Sequence, residues 1–203
     1  MILTKSDLEN YIEQDRLMNN EDDKVRRRGI FLRVKQLLTP NLVLKYLLFL
    51  RKSEYYINRN QAKHSIWNEV CALYWRYKLR NLGIKLGYSI PINVVGAGLS
   101  LPHYGTIVVS ANARIGNNCR LHVGVNIGAS GGNPKAPQIG NNVYIGPGAI
   151  LFGDIKISDN VTIGANATVN RSCERENVVL AGSPAIIVKE NYPCWLEFNG
   201  KKQ

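Results

Sequence analysis

The chain of 203 residues has only three histidines, four cysteines and two methionines, and its 15 acidic residues are outnumbered by 26 Lys and Arg. Each scarcity excludes something. Cys71, Cys119, Cys173 and Cys194 have no paired spacing, which argues against a disulfide framework and for small buried hydrophobes in a reducing compartment. Scattered histidines and cysteines offer no ligand cluster, so no metal is expected. A membrane-spanning helix needs about 20 apolar residues, and the stretch Leu42 to Leu50 is short and interrupted by Lys45. Packing within a helical cap is the expectation there, with association to a membrane surface as the alternative. No signal-peptide pattern opens the sequence, so a cytoplasmic location is expected. A Gly-rich phosphate loop is also missing ahead of the repeat, which argues against nucleotidyl transfer.

Charge is unevenly placed. Residues 1–90 hold 17 Lys and Arg against 9 Asp and Glu, whereas residues 91–203 hold 9 against 6. The run Lys24 to Lys35, with Arg26, Arg27 and Arg28, reads as a solvated face or as attraction to an anionic partner. No nucleic-acid motif accompanies it, so no nucleic-acid partner is expected. Residues 1–24 are polar and acidic and read as a short helix or loose chain. An apolar helical pattern passes through Ile30, Phe31, Val34, Leu37 and Leu38 and breaks at Pro40. Further helices are expected over about 42–50 and 65–82, the second with Trp67, Val70, Leu73, Tyr74 and Tyr77 on one side.

From Val109 onward an aliphatic residue returns every sixth position: Val109, Ile115, Leu121, Ile127, then Ile139, Ile145, Leu151, Ile157, Ile163 and Val169. The miss at position 133 falls in a Gly/Pro-rich stretch, Ala129 to Gln138, that reads as a loop replacing one unit. Small or aliphatic residues stand two places before each unit, as at Ala113, Cys119, Val125, Val143 and Ala149. A period of six is the hexapeptide signature of a parallel β-helix. Both sets should point to the axis, while Asn and Gly suit the tight corners between strands. A β-sandwich would need period-two alternation and irregular turns instead. The fold class is therefore α + β solenoid: a helical N-terminal segment over 1–88, a β-helix over 89–189, and a tail over 190–203 that folds over a neighbour or caps the open end.

A β-helix is only a scaffold, so function must be sought in sites. His64 lies in a polar helical context and reads as solvated. His122 follows the inward Leu121 and reads as an outward-facing surface histidine. His103 differs, lying in the glycine-flanked segment Gly96 to Val109 where the repeat begins.

This segment, the hexads to Asn170, and the closing Val178 to Lys189 with Ala181-Gly182-Ser183-Pro184-Ala185 resemble the serine acetyltransferase family of hexapeptide acyltransferases. Leu50 to Tyr56 and Tyr88 to Pro91 resemble the branch found with surface-polysaccharide biosynthesis. The resemblance implies a left-handed coil, a homotrimer with sites between neighbouring prisms, and acetyl transfer from acetyl-CoA to a hydroxyl. It places the catalytic general base at His103, and an imidazole's ordinary pKa near 6.5 suits both taking and returning a proton. It places coenzyme contacts at Gly128, Ala129, Ser130, Pro147, Ala165 and, toward the phosphates, Lys189.

Departures concern the acceptor. Where the family has an Asp before the catalytic His, this chain has Pro102; where it has a second His after the loop, this chain has Ala136. Pro102, Tyr104 and Ala136 are thus the candidate acceptor-side residues, and a backbone carbonyl, Tyr104 or Glu54 is the candidate for orienting His103. The acceptor is L-serine or a sugar hydroxyl. A non-catalytic trimeric scaffold and an N-acyltransferase on an amino sugar are the alternatives.

Overall fold

A computed structural model describes residues 1–19 and 40–198. The basic run Lys24 to Lys35 and the apolar pattern from Ile30 to Leu38 lie outside the described residues. Helix α1 (Lys5–Met18) starts at a capping box in which Thr4 and Asp7 bond each other's backbone N–H groups. Helix α2 (Leu42–Ala62) is capped by the Asn41 side chain, and α3 (Ile66–Leu86) ends on Gly87 in the left-handed region at φ 80°. Both extend beyond the ranges expected from sequence.

Leu42 to Leu50 is the first half of α2, and it buries Tyr46, Leu47, Phe49 and Leu50 in the main core. Among the described residues no helix is long and apolar enough to cross a membrane. The aromatic side of α3 faces outward. Trp67, Val70, Leu73, Tyr74 and Tyr77 are exposed, while Ala72, Leu82 and Leu86 are buried. Helical periodicity identifies a stripe but not the direction in which it points.

The coil begins after Gly87. Thirteen strands follow: β1 (Tyr88–Ser89), β2 (Ile107–Val109), β3 (Arg114–Ile115), β4 (Arg120–Leu121), β5 (Asn126–Gly128), β6 (Gln138–Ile139), β7 (Tyr144–Ile145), β8 (Ile150–Phe152), β9 (Lys156–Ile157), β10 (Thr162–Ile163), β11 (Thr168–Val169), β12 (Val179–Gly182) and β13 (Ala185–Lys189). They form three faces. Face one orders β1-β2-β5-β8-β11, face two β3-β6-β9, and face three β4-β7-β10-β12, all parallel; β13 returns antiparallel on β12.

Register stacks like on like. Val109, Ile127, Leu151 and Val169 align on face one, Ile115, Ile139 and Ile157 on face two, and Leu121, Ile145, Ile163 and Leu180 on face three. All of these are buried, each contributing roughly 1.5–3 kcal/mol. Asn118, Asn142 and Asn160 turn the vertex between faces two and three at φ 54–60°, and their amides bond one another from coil to coil.

The helices are clamped to the first coil by a buried ion cluster. Arg51, 0 % exposed, bonds Asp15 at 2.8 Å and Glu54 at 3.0 Å and donates to the carbonyls of Val95 and Gly96. Asp15 in turn accepts from the Leu99 N–H, and Glu54 from that of Asn93. Both elements that carry the chain into the segment containing His103 are thereby fixed. The described part of the tail, up to residue 198, does not cap the coil's end: helix α4 (Trp195–Phe198) lies beside face three, where Cys194, Trp195 and Leu196 pack with Met18 against Tyr144.

Candidate active site

His103 stands on a bulge. Ser100 pairs with Arg120, twenty positions on, whereas Val108 pairs with Asn126, eighteen on. The first coil therefore takes two more residues than the second to turn from face three to face one. Beyond the turn, Gly105 lies so close to Val123 that a Cβ on it would fall 2.4 Å from a Val123 methyl, and its φ is 142°. The additional residues are His103 and Tyr104, which project from the vertex; Tyr104 is 75 % exposed. The Tyr88 hydroxyl donates to the His103 carbonyl at 2.7 Å and anchors the bulge. Burial pushes the Tyr88 phenol up to about 12, which keeps it a donor.

The His103 ring faces His122, with centroids 6.2 Å apart and planes tilted by 54°. His122 packs on Tyr144 of the next coil at 5.0 Å. Its Nε2 is buried without a hydrogen-bond partner. Burial first, then the charge of Arg120 and the proximity of His103, hold the His122 imidazole down to about 4, so it is neutral at pH 7. Arg120, Tyr144 and Thr162 stand in register on the same face, and Arg120 Nε and Thr162 Oγ1 are likewise buried and unpartnered. Trp195 covers the Arg120 guanidinium at 5.0 Å.

The register of the Ser100–Arg120 bridge, carried two residues on, sets Pro102 opposite His122, and Pro102 lines a cavity of about 160 Å³ together with Asn19, Asn41, Val43, Leu101 and Arg120. Glu54, a candidate for orienting His103, is instead committed to Arg51 and the Asn93 N–H. Ala136 is 2 % exposed and packs into the core, so its side chain faces away from solvent. Residues 120 and 122 flank the inward Leu121, and that spacing is a sequence signal that both face outward. That one of them meets His103 depends on the bulge, which the spacing does not reveal.

Below the bulge, Val123, Pro147 and Ala165 follow two places after Leu121, Ile145 and Ile163, forming an exposed column of small side chains along the vertex. Gly128, Ala129 and Ser130 lie elsewhere, at the vertex between faces one and two, where Gly128 pairs with Phe152. In a single chain these two parts are a whole face apart. Lys189 ends β13 with its ammonium 5.4 Å above the Tyr192 ring. Among the described residues no group of three His, Cys, Asp or Glu side chains comes together.

By its fold and its repeats the chain is a hexapeptide-repeat coil, and residues 136–171 match the family described as bacterial transferase hexapeptide (six repeats). Its relatives are serine acetyltransferases. That of Mycobacterium tuberculosis is 32 % identical over 137 residues, which is 66 % of this chain and 59 % of that protein. That of Staphylococcus aureus is 37 % identical over 99 residues, 48 % of this chain and 46 % of that protein. The chain thus spans about half to three-fifths of the length of these curated relatives. Among solved structures, serine acetyltransferase from Brucella abortus strain S19 superposes with a TM-score of 0.64 at 24 % identity, covering 93 % of this chain and 69 % of that one. The soybean enzyme complexed with serine gives 0.66 at 24 % identity, covering 91 % and 70 %. These likenesses establish the fold, a helical segment followed by a coil of parallel strands.

Proposed function

We propose that this chain is an acetyl-CoA-dependent O-acetyltransferase of the serine acetyltransferase type, with His103 as general base. The observation that carries the reading is the bulge. It presents one imidazole at a vertex of the coil, above an exposed column formed by Val123, Pro147 and Ala165. His103 takes the proton of the acceptor hydroxyl as its oxygen attacks the thioester carbonyl. Backbone N–H groups stabilise the tetrahedral oxyanion. Collapse breaks the carbon–sulfur bond, and the imidazolium returns the proton to the thiolate, leaving an ester and free thiol. The serine acetyltransferases of M. tuberculosis and S. aureus support this chemistry by sequence, and a solved relative is a complex with coenzyme A.

His103 and the Gly128–Ser130 segment occupy different vertices, so one chain does not assemble a full site. A second copy placing its Gly128–Ser130 vertex against the His103 vertex supplies the missing wall. This supports the homotrimer, and left-handed winding belongs to the same reading. Pro147 and Ala165 then line the coenzyme slot, with Lys189 near its phosphates. The acceptor is L-serine or a sugar hydroxyl in surface-polysaccharide synthesis; Pro102 and the inward Ala136 favour the sugar, since neither offers a group to grip a serine. The test is an acceptor screen with acetyl-CoA, L-serine and a panel of sugars, reading thiol release. Acetylated hydroxyl product supports the reading. Amide product favours N-acyl transfer, and no release together with no coenzyme A binding at millimolar concentration favours a scaffold.

A further inference from the structure

Beside His103, face three presents an unusual set of outward side chains. Arg120 and His122 come from β4 and the residue after it, Tyr144 and Thr162 from the next two coils, and three of the four carry a buried polar atom without a partner. We propose that His122 is an acceptor-binding residue: its unpartnered Nε2 holds an oxygen next to the hydroxyl that His103 deprotonates, and Arg120 restricts that position to uncharged or anionic groups. The proposal rests on the acetyltransferase reading.

Position and chemistry support it together. The two rings are 6.2 Å apart and belong to successive coils, so one small polar group can touch both. Tyr144 packs on the His122 ring at 5.0 Å and holds it in place. Register places Pro102 before His122 and Gly146 after it, and neither has a side-chain donor or acceptor to offer. An unpaired buried nitrogen is costly, and a structural histidine would have acquired a partner. A neutral imidazole carries one donor and one acceptor nitrogen, which suits a hydroxyl in either sense. Among the described residues only Arg120 and His103 act as charges on His122, and carboxylates on the helices and tail are engaged elsewhere. Asp15 and Glu54 bind Arg51, and Glu197 accepts from the Cys194 N–H. A protonated amine would therefore meet the Arg120 charge with no described carboxylate to hold it.

The experiment is steady-state thiol release from acetyl-CoA, with L-serine and neutral, amino and uronic hexoses as acceptors, on wild type, His122→Phe and His122→Gln. Phe keeps the packing on Tyr144 and removes both nitrogens; Gln restores hydrogen bonding. His122→Phe is expected to raise the KM of the best acceptor at least about tenfold, equivalent to about 1.4 kcal/mol, with coenzyme A affinity by calorimetry unchanged. His122→Gln is expected to recover most of the loss. Should the Phe variant fail to fold, His122→Asn, too short to reach the same oxygen, gives the same comparison. An unchanged acceptor KM, a parallel loss of coenzyme A affinity, or an amino hexose preferred over its hydroxyl counterpart overturns the proposal while leaving acetyl transfer intact. Thiol release absent from wild type with every acceptor overturns the acetyltransferase reading, and this proposal with it.

Discussion

The imidazole rings of His103 and His122 face each other at 6.2 Å because two additional residues lift His103 off the coil at the vertex that His122 flanks. His122 is the partly buried member of the pair, and its Nε2 is shielded from solvent. The groups facing it are Arg120 two residues earlier, His103 on the bulge and Tyr144 on the next coil. Its folded pKa, about 4, lies below the ordinary histidine value of 6.5. Between those pH values the unfolded chain binds the additional proton, so stability falls as pH drops through the window. Thermal melts of wild type between pH 7 and pH 5 should therefore show a steeper decline in Tm than those of His122→Gln. Equal slopes would mean that His122 titrates normally.

Arg51 carries the largest predicted stability effect. It is enclosed with Asp15 and Glu54, and its removal leaves two buried carboxylates facing each other without a cation. Breaking a buried pair from one side costs about 3–5 kcal/mol. Urea unfolding of Arg51→Met at fixed protein concentration should show a loss of that order, and a loss below about 1 kcal/mol would contradict the clamp.

Gly105 tests the bulge. A side chain there meets Val123 and must adopt φ 142°, a region that strongly favours glycine. Gly105→Ala should cost about 1–3 kcal/mol in denaturant unfolding and reduce thiol release more than coenzyme A binding. Wild-type stability and turnover in this variant would mean that the bulge is not tightly held.

The cysteines should separate by burial. Cys119 is buried and its thiol is pushed up to about 12, Cys194 is raised by burial as well, and Cys173 is buried. Cys71 is only half-buried. Thiolate is the reactive form, so an aromatic disulfide reagent at pH 8 should label one thiol quickly in native protein and four in denaturant. Cys71→Ser should abolish the fast phase; rapid labelling of Cys119 would contradict the packing of the coil.

The coil was legible in the sequence because stacking like on like repeats one physical requirement every six residues, and outside the loop at position 133 each such position from Val109 to Val169 holds a buried aliphatic. The vertex at His103 was not. Counting back in eighteens from Leu121 lands on residue 103, which would turn that histidine inward; register instead puts Leu101 beneath Leu121 and leaves His103 outside. A two-residue bulge leaves no periodic trace, so the contact between His103 and His122 could not be read. Glu54 offered a carboxylate by composition, but Arg51, one helical turn earlier, holds it. The outward face of α3 was visible as a stripe, yet only packing on α2 decides which stripe is buried.

His103, as proposed, moves the proton in acetyl transfer. Thiol release from acetyl-CoA, measured on His103→Ala beside wild type with the acceptor that wild type prefers, tests it most directly. Turnover should fall by at least about 10²-fold, with unfolding and subunit assembly unchanged. Wild-type turnover in that variant would contradict it.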